Sequence, residues 1–220
     1  MIKYQPVPLE EHDALIGADF NERFTKEMHD YYAPYQKKGR PVNIGKETWE
    51  YAVSDSIDGG QWVGAGKNVI DVCAPNLDID VKGISCSKIT GITSEASILQ
   101  NVQEKNDHAV QLFKQGNYSG LKEMFIDPFI KKTSANKNLH VLCTVRDKQN
   151  SQVWYCLLKV VKHENPNLVE EMKARGTRSI DIPLIDPEYG RTYLAIQKRR
   201  LELRLNMAGM SKYSVCSHSI

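Results

Sequence analysis

Residues 78–82 read Asp-Ile-Asp-Val-Lys, and this alternation constrains the chain more than any other stretch. In an extended strand, successive side chains leave opposite faces. Asp80 and Lys82 therefore stand side by side on one face, and Ile79 and Val81 bury the other. A second apolar run, Val69 to Cys73, also reads as a strand and carries Asp71. Between the runs, Ala74-Pro75-Asn76 is a turn signal. A hairpin folded there brings Asp71 back beside Asp80. Asp71 is flanked by apolar residues, and a partly buried acid needs a partner or a metal. Two carboxylates together hold a divalent cation, which favours oxygen ligands. A lysine next to them holds or helps deprotonate an attacking water.

The chain has 220 residues, 41% of them hydrophobic and 25% charged. That is the composition of an ordinary globular protein, and its length suits one domain, 1–220. No apolar run is long enough to span a membrane. The first residues lack the apolar core of a signal peptide, so a cytoplasmic location is expected. Five cysteines form no CxxC pair, which argues against a disulfide framework and a zinc site. They read as small buried hydrophobes. The six histidines make no HxH or HExxH pattern.

Net charge is only +2, but it is unevenly spread. Residues 33–46 carry Lys37, Lys38, Arg40 and Lys46 with no acid. Residues 189–207 carry Arg191, Lys198, Arg199, Arg200 and Arg204 against Glu202 alone. Local basic segments on a near-neutral chain suit a grip on a polyanion; they equally suit solvated faces.

Periodicity predicts a helix over 9–32, with Leu15, Ile16, Phe20, Phe24 and Met28 near one face and Pro34 as its end. A second helix is expected over 47–57, with Trp49, Ala52, Val53 and Ile57 inward and Asp58-Gly59-Gly60 as its stop. Strands are expected at Trp62-Val63, 69–73 and 77–85. A helix follows over 94–114. The runs 139–145 and 153–161 form a hairpin around 147–151. A short helix over 168–174 and a strand over 180–185 come next. From Arg200 to Met207 the alternation is strict, predicting a strand with one wet or DNA-facing side, although 193–200 is also compatible with a helix. The order of elements gives an α/β fold, a mixed central sheet with helices on its faces.

An acid, a short gap, then Asp-x-Lys on a hairpin resembles the PD-(D/E)xK nuclease superfamily, which includes most type II restriction endonucleases. The resemblance covers about residues 47–100, inside a catalytic core expected over about 47–160. It implies a restriction-endonuclease-like core and a Mg²⁺-dependent enzyme that cuts double-stranded DNA at a specific sequence. Asp71 and Asp80 would bind the metal and Lys82 would engage the attacking water. The chain departs from the pattern at Ile70, where the family often has proline. Many members also place a glutamate on the preceding helix, and Glu50, at the border of the buried face, suits this better than Glu47. Asp78 shares a face with Asp80 and is a substitute ligand or a turn residue.

Lys37, Lys38, Arg40, Lys131, Lys132, Arg199, Arg200 and Arg204 are the expected DNA contacts. A homodimer is expected, since one site attacks one strand and a palindrome has two. The alternatives are a non-catalytic nucleic-acid-binding protein, or a repair or junction nuclease of the same fold. Other motifs fail. Glu171-Met172-Lys173 lies in a helical pattern, where residues two apart do not face each other. Gly64-Ala65-Gly66-Lys67 lacks the spacing and the Ser/Thr of a phosphate loop. There is no GxSxG or GxGxxG.

Overall fold

The computed structural model describes residues 2–36, 45–63, 69–99, 106–136, 138–198 and 200–219. The chain enters through strand β1 (Ile2–Pro6) and two helices, α1 (Leu9–Ile16) and α2 (Phe20–Gln36). The expected single helix is split at Gly17, whose φ of 97° is a left-handed conformation that glycine adopts without penalty. Pro34 does not end α2 but lies inside its last turn. A missing N–H at that position removes one bond near the end and leaves the turn intact. Phe20, Phe24, Met28 and Tyr32 recur every fourth residue and are all buried. Helix α3 (Lys46–Ser56) packs beside α2 and buries Trp49, Ala52 and Val53.

Four strands follow: β2 (Gln61–Trp62), β3 (Val72–Cys73), β4 (Asp78–Cys86) and β5 (Ala96–Leu99). The helix expected over 94–114 is therefore corrected. Its start is strand β5, and helix α4 runs only over Asn106–Lys114. Tertiary pairing with another strand outweighs local helical periodicity at Ala96–Ile98. Next come α5 (Tyr118–Leu121), a π-helical turn (Lys122–Ile126) and α6 (Asp127–Ser134). Strands β6 (Leu139–Asp147) and β7 (Gln152–Lys162) form the expected hairpin. The last third holds α7 (Leu168–Glu171), β8 (Lys173–Arg175), β9 (Ser179–Ile182), β10 (Gly190–Ala195), β11 (Arg200–Leu205), α8 (Met207–Met210) and β12 (Ser214–Ser219). The helix expected over 168–174 thus ends at Glu171, and the segment 193–200 opens as a strand.

The central sheet is mixed and seven-stranded, in the order β1-β7-β6-β4-β3-β2, with β12 also paired to β7. β1 and β12 share one edge of β7, along its second and first halves respectively. Only β4 and β6 run parallel, over nine residue pairs from Asp78↔Leu139 to Cys86↔Asp147. A second sheet, antiparallel throughout, has the order β5-β11-β10-β9-β8.

Strand alternation splits the core in two. One face of the central sheet offers Ile79, Val81, Leu142 and Leu157 to α2 and α3. The other offers Ile84, Val141, Cys143 and Leu158 to Leu121, Phe125 and Phe129 and to the inner residues of the second sheet, among them Ile180, Leu194 and Leu203. The wet face expected on 200–207 is only partly wet. Glu202 is buried, and Arg204 is paired with Glu95 and lies over the Tyr193 ring. Among the described residues no helix is long and apolar enough to cross a membrane.

Gly83 fixes how closely α3 approaches the sheet. A Cβ there would sit 2.3 Å from Trp49 Cδ1 and 2.4 Å from Nε1. Trp49 is buried and has little room to retreat. Gly83→Ala should lower unfolding stability by about 1–3 kcal/mol, as overpacking does, measured by urea titration. Adding Trp49→Leu should recover part of that loss; full stability in the single variant would show that the helix moves freely.

Candidate active site

The expected hairpin forms. β3 and β4 are antiparallel, with Val72 opposite Ile79 and Cys73 opposite Asp78. The first strand is shorter than expected: only Val72–Cys73 is paired as a strand, and Asp71 stands just before it. The Asp71 N–H donates to Ile79 O at 2.8 Å, so the chain still runs alongside β4. The Asp71 side chain then accepts the next available N–H of β4, from Val81 to Oδ2, at 2.9 Å. A carboxylate thus continues the edge of β4 where β3 stops.

Asp80 and Lys82 point to the same face of β4, as alternation requires. The Lys82 ammonium contacts Asp80 Oδ1. Both side chains are largely buried, with exposures of 12% for Lys82 and 6% for Asp80. The Asp80 carboxyl is pushed up to about 7. Burial is the main cause, and the Asp71 carboxylate beside it adds to the rise, while Lys82 opposes it. Tyr4 of β1 and Cys143 of β6 belong to the same buried face. Burial, with the Asp80 charge next, holds the Tyr4 phenol far above its ordinary value. The Cys143 thiol is held up by its hydrogen bond with Cys156 and by burial.

Helix α3 supplies the remaining groups. Glu50 is buried, whereas Glu47 is exposed. The Trp62 indole Nε1 donates to Glu50 Oε2 at 2.9 Å, and Trp62 leans on Tyr51 with ring centroids 4.7 Å apart. Lys46 Nζ lies 2.9 Å from Glu50 Oε1 and 3.3 Å from Asp71 Oδ1. Burial works against the Lys46 charge, but the two carboxylates outweigh it and raise its affinity for the proton.

The fold therefore brings Asp71, Asp80 and Lys82 together, and Glu50 is linked to them through Lys46, which bridges it to Asp71. Asp78 is at the hairpin end, where the Cys73 thiol bonds to it. Sequence reasoning missed Lys46 and Trp62. The basic run 33–46 hides Lys46, yet its position four residues ahead of Glu50 on a helix carries the pairing. Trp62 left no such trace, because its contact with Glu50 is tertiary.

The expected DNA contacts sit on separate elements. Lys131 and Lys132 are exposed in the last turn of α6, and Arg200 is exposed at the start of β11. Arg204 is half-buried and committed to Glu95. Lys37, Lys38, Arg40 and Arg199 lie outside the described residues.

Among the described residues, no three or more His, Cys, Asp or Glu side chains converge as a ready-made metal cage. Mg²⁺ rarely uses one. It keeps several waters and takes one or two carboxylates together with substrate phosphates. Asp71 and Asp80 fit that demand: both are hard oxygen donors, buried beside each other, and their mutual repulsion is what a divalent cation relieves. No family model, curated protein or solved structure matches the chain.

Asp80 couples the site to pH. Its carboxyl titrates near 7 in the folded chain against an ordinary value of 3.8. A raised acid favours the folded state fully below 3.8, and that contribution is lost as pH climbs through 7. Asp80→Asn cannot ionise. Without divalent ions, wild-type stability should fall relative to Asp80→Asn between pH 4 and pH 8, by an amount on the order of a few kcal/mol. Parallel melting curves for the two proteins across that range would show that Asp80 is not strained by its surroundings. The comparison also cancels buried His12 and His140, which burial shifts downward and which act in the opposite sense.

Proposed function

We propose that the chain is a Mg²⁺-dependent nuclease with a restriction-endonuclease-like core. It hydrolyses double-stranded DNA at a specific sequence, as a type II restriction endonuclease, and works as a homodimer. The observation that carries this is the meeting of Asp71 and Asp80 in a buried pair, with Lys82 on the same strand face touching Asp80. Helix α3 ahead of the hairpin, with Glu50 turned inward, supports the same core.

Asp71 and Asp80 are the residues that would hold Mg²⁺. When bound, the ion supplies the charge that polarises the scissile phosphate and lowers the pKa of the attacking water. Asp71 is kept in place by the Val81 N–H, so it needs no rearrangement to serve. Lys82 orients the attacking water and places its positive charge where negative charge develops on the phosphate. Glu50, fixed by Trp62 and Lys46, lines the same site from the helix side. Lys131, Lys132 and Arg200 are exposed cations available to backbone phosphates.

Purified protein incubated with plasmid should give discrete bands with Mg²⁺ and none with EDTA. Asp71→Ala, Asp80→Ala and Lys82→Ala should each slow cleavage by about a hundredfold or more while melting as folded proteins, and Glu171→Ala should cut normally. Intact plasmid across metals and salts would overturn the nuclease assignment. Binding that survives EDTA with no cleavage would leave a non-catalytic nucleic-acid-binding protein.

Double-strand cleavage at a palindrome requires two sites related by a two-fold axis. Sedimentation with a short specific duplex in Ca²⁺ should therefore give two chains per duplex. One chain per duplex, with nicks as the product, would instead identify a repair-type enzyme.

A further inference from the structure

Three buried carboxylates, Glu50, Asp71 and Asp80, leave two gaps in which a cation can sit. The first gap is already bridged. Lys46 Nζ lies 2.9 Å from Glu50 Oε1 and 3.3 Å from Asp71 Oδ1. The other oxygen of each acid is taken by a fixed N–H: Trp62 Nε1 holds Glu50 Oε2 at 2.9 Å, and Val81 N holds Asp71 Oδ2 at 2.9 Å. The two oxygens turned toward the first gap are the two that the ammonium contacts. The second gap differs. Lys82 pairs with Asp80, the Asp71 and Asp80 carboxyls meet in a hydrogen bond of their own, and no ammonium bridges the two among the described residues.

We propose that Lys46 is a resident cation that fills the gap between Glu50 and Asp71, so that the centre accepts one divalent ion, between Asp71 and Asp80. This rests on Asp71 and Asp80 being the cation-binding pair. A divalent ion entering the first gap would meet a positive charge already seated between the same oxygens. At that range and in a partly buried site, like charges repel strongly. Lys46 is thus a positioning residue: it neutralises Glu50, draws Asp71 toward α3 and reserves the second gap for the metal. The ammonium reaches the site on a stem that is largely in water, with 58% of the side chain exposed. Truncating it opens no cavity in the core, and the α3 contacts through Trp49, Ala52 and Val53 remain.

The test is a Mn²⁺ titration of the whole chain without DNA, read by the paramagnetic resonance signal of the free ion, with melting curves to confirm folding. Wild type should bind one Mn²⁺ per chain. Lys46→Ala should bind two, the second more weakly, and Lys46→Arg should bind one. Adding Glu50→Gln to Lys46→Ala should return the count to one, which places the extra ion in the first gap. Two ions in wild type, or one in folded Lys46→Ala, would overturn the role of Lys46 and leave the Asp71–Asp80 assignment standing. No bound ion in wild type, or undiminished binding in Asp80→Asn, would instead remove the metal site itself.

Discussion

The bond from the Val81 N–H to Asp71 Oδ2 is the interaction on which the site depends. Strand β4 needs a partner along its outer edge, because a buried N–H left unpaired is costly. β3 provides partners for only two residues before the chain turns away. A side chain does the work of a strand at the next position. The same carboxylate is thereby fixed beside Asp80 and within reach of Lys46. Secondary structure and site are one construction here: removing the acid would leave a β4 N–H unpaired as well as removing one of the paired carboxylates.

Around that bond the charges are arranged under tension. Three acids are buried close together, and two lysines approach from opposite sides, Lys46 from α3 and Lys82 from β4. The arrangement leaves Asp80 undercompensated, and its carboxyl holds a proton near neutrality. Carboxyls perturbed by burial together with a specific charged neighbour cluster at functional sites. Tyr4 and Cys143 flank the cluster and stay neutral, Tyr4 through burial and Cys143 through its hydrogen bond with Cys156 together with burial.

Much of this was legible in the residues. Alternation placed Asp80 and Lys82 on one face, Ala74-Pro75-Asn76 marked the turn that returns Asp71, and the wheel of α3 turned Glu50 inward. These are local rules of period and turn, and they apply before any tertiary contact forms. What was not legible depended on long-range pairing. Ala96–Leu99 carries a helical pattern but joins β11 across a hundred residues. Glu202 looks like the wet side of a strand, yet it is buried on the second sheet. Lys46 was read by its neighbours in sequence, a run of bases, and its role follows from two acids, one of them 25 residues away. The order of elements also announced the α/β class, and the fold displays it as a mixed central sheet flanked by helices.

The hollow at Gly83 has a consequence for how such a site can change over generations. Trp49 rests in it, and the next residue along α3 is Glu50. The depth of one missing methyl group therefore sets the height of the helix above β4, and with it the reach of both Glu50 and Lys46. The hollow is a fulcrum: side-chain volume at 49 and 83 bears on the seating of the helix that carries both charges. Variation at these two apolar positions could retune the electrostatics of the centre without replacing any of its charged groups.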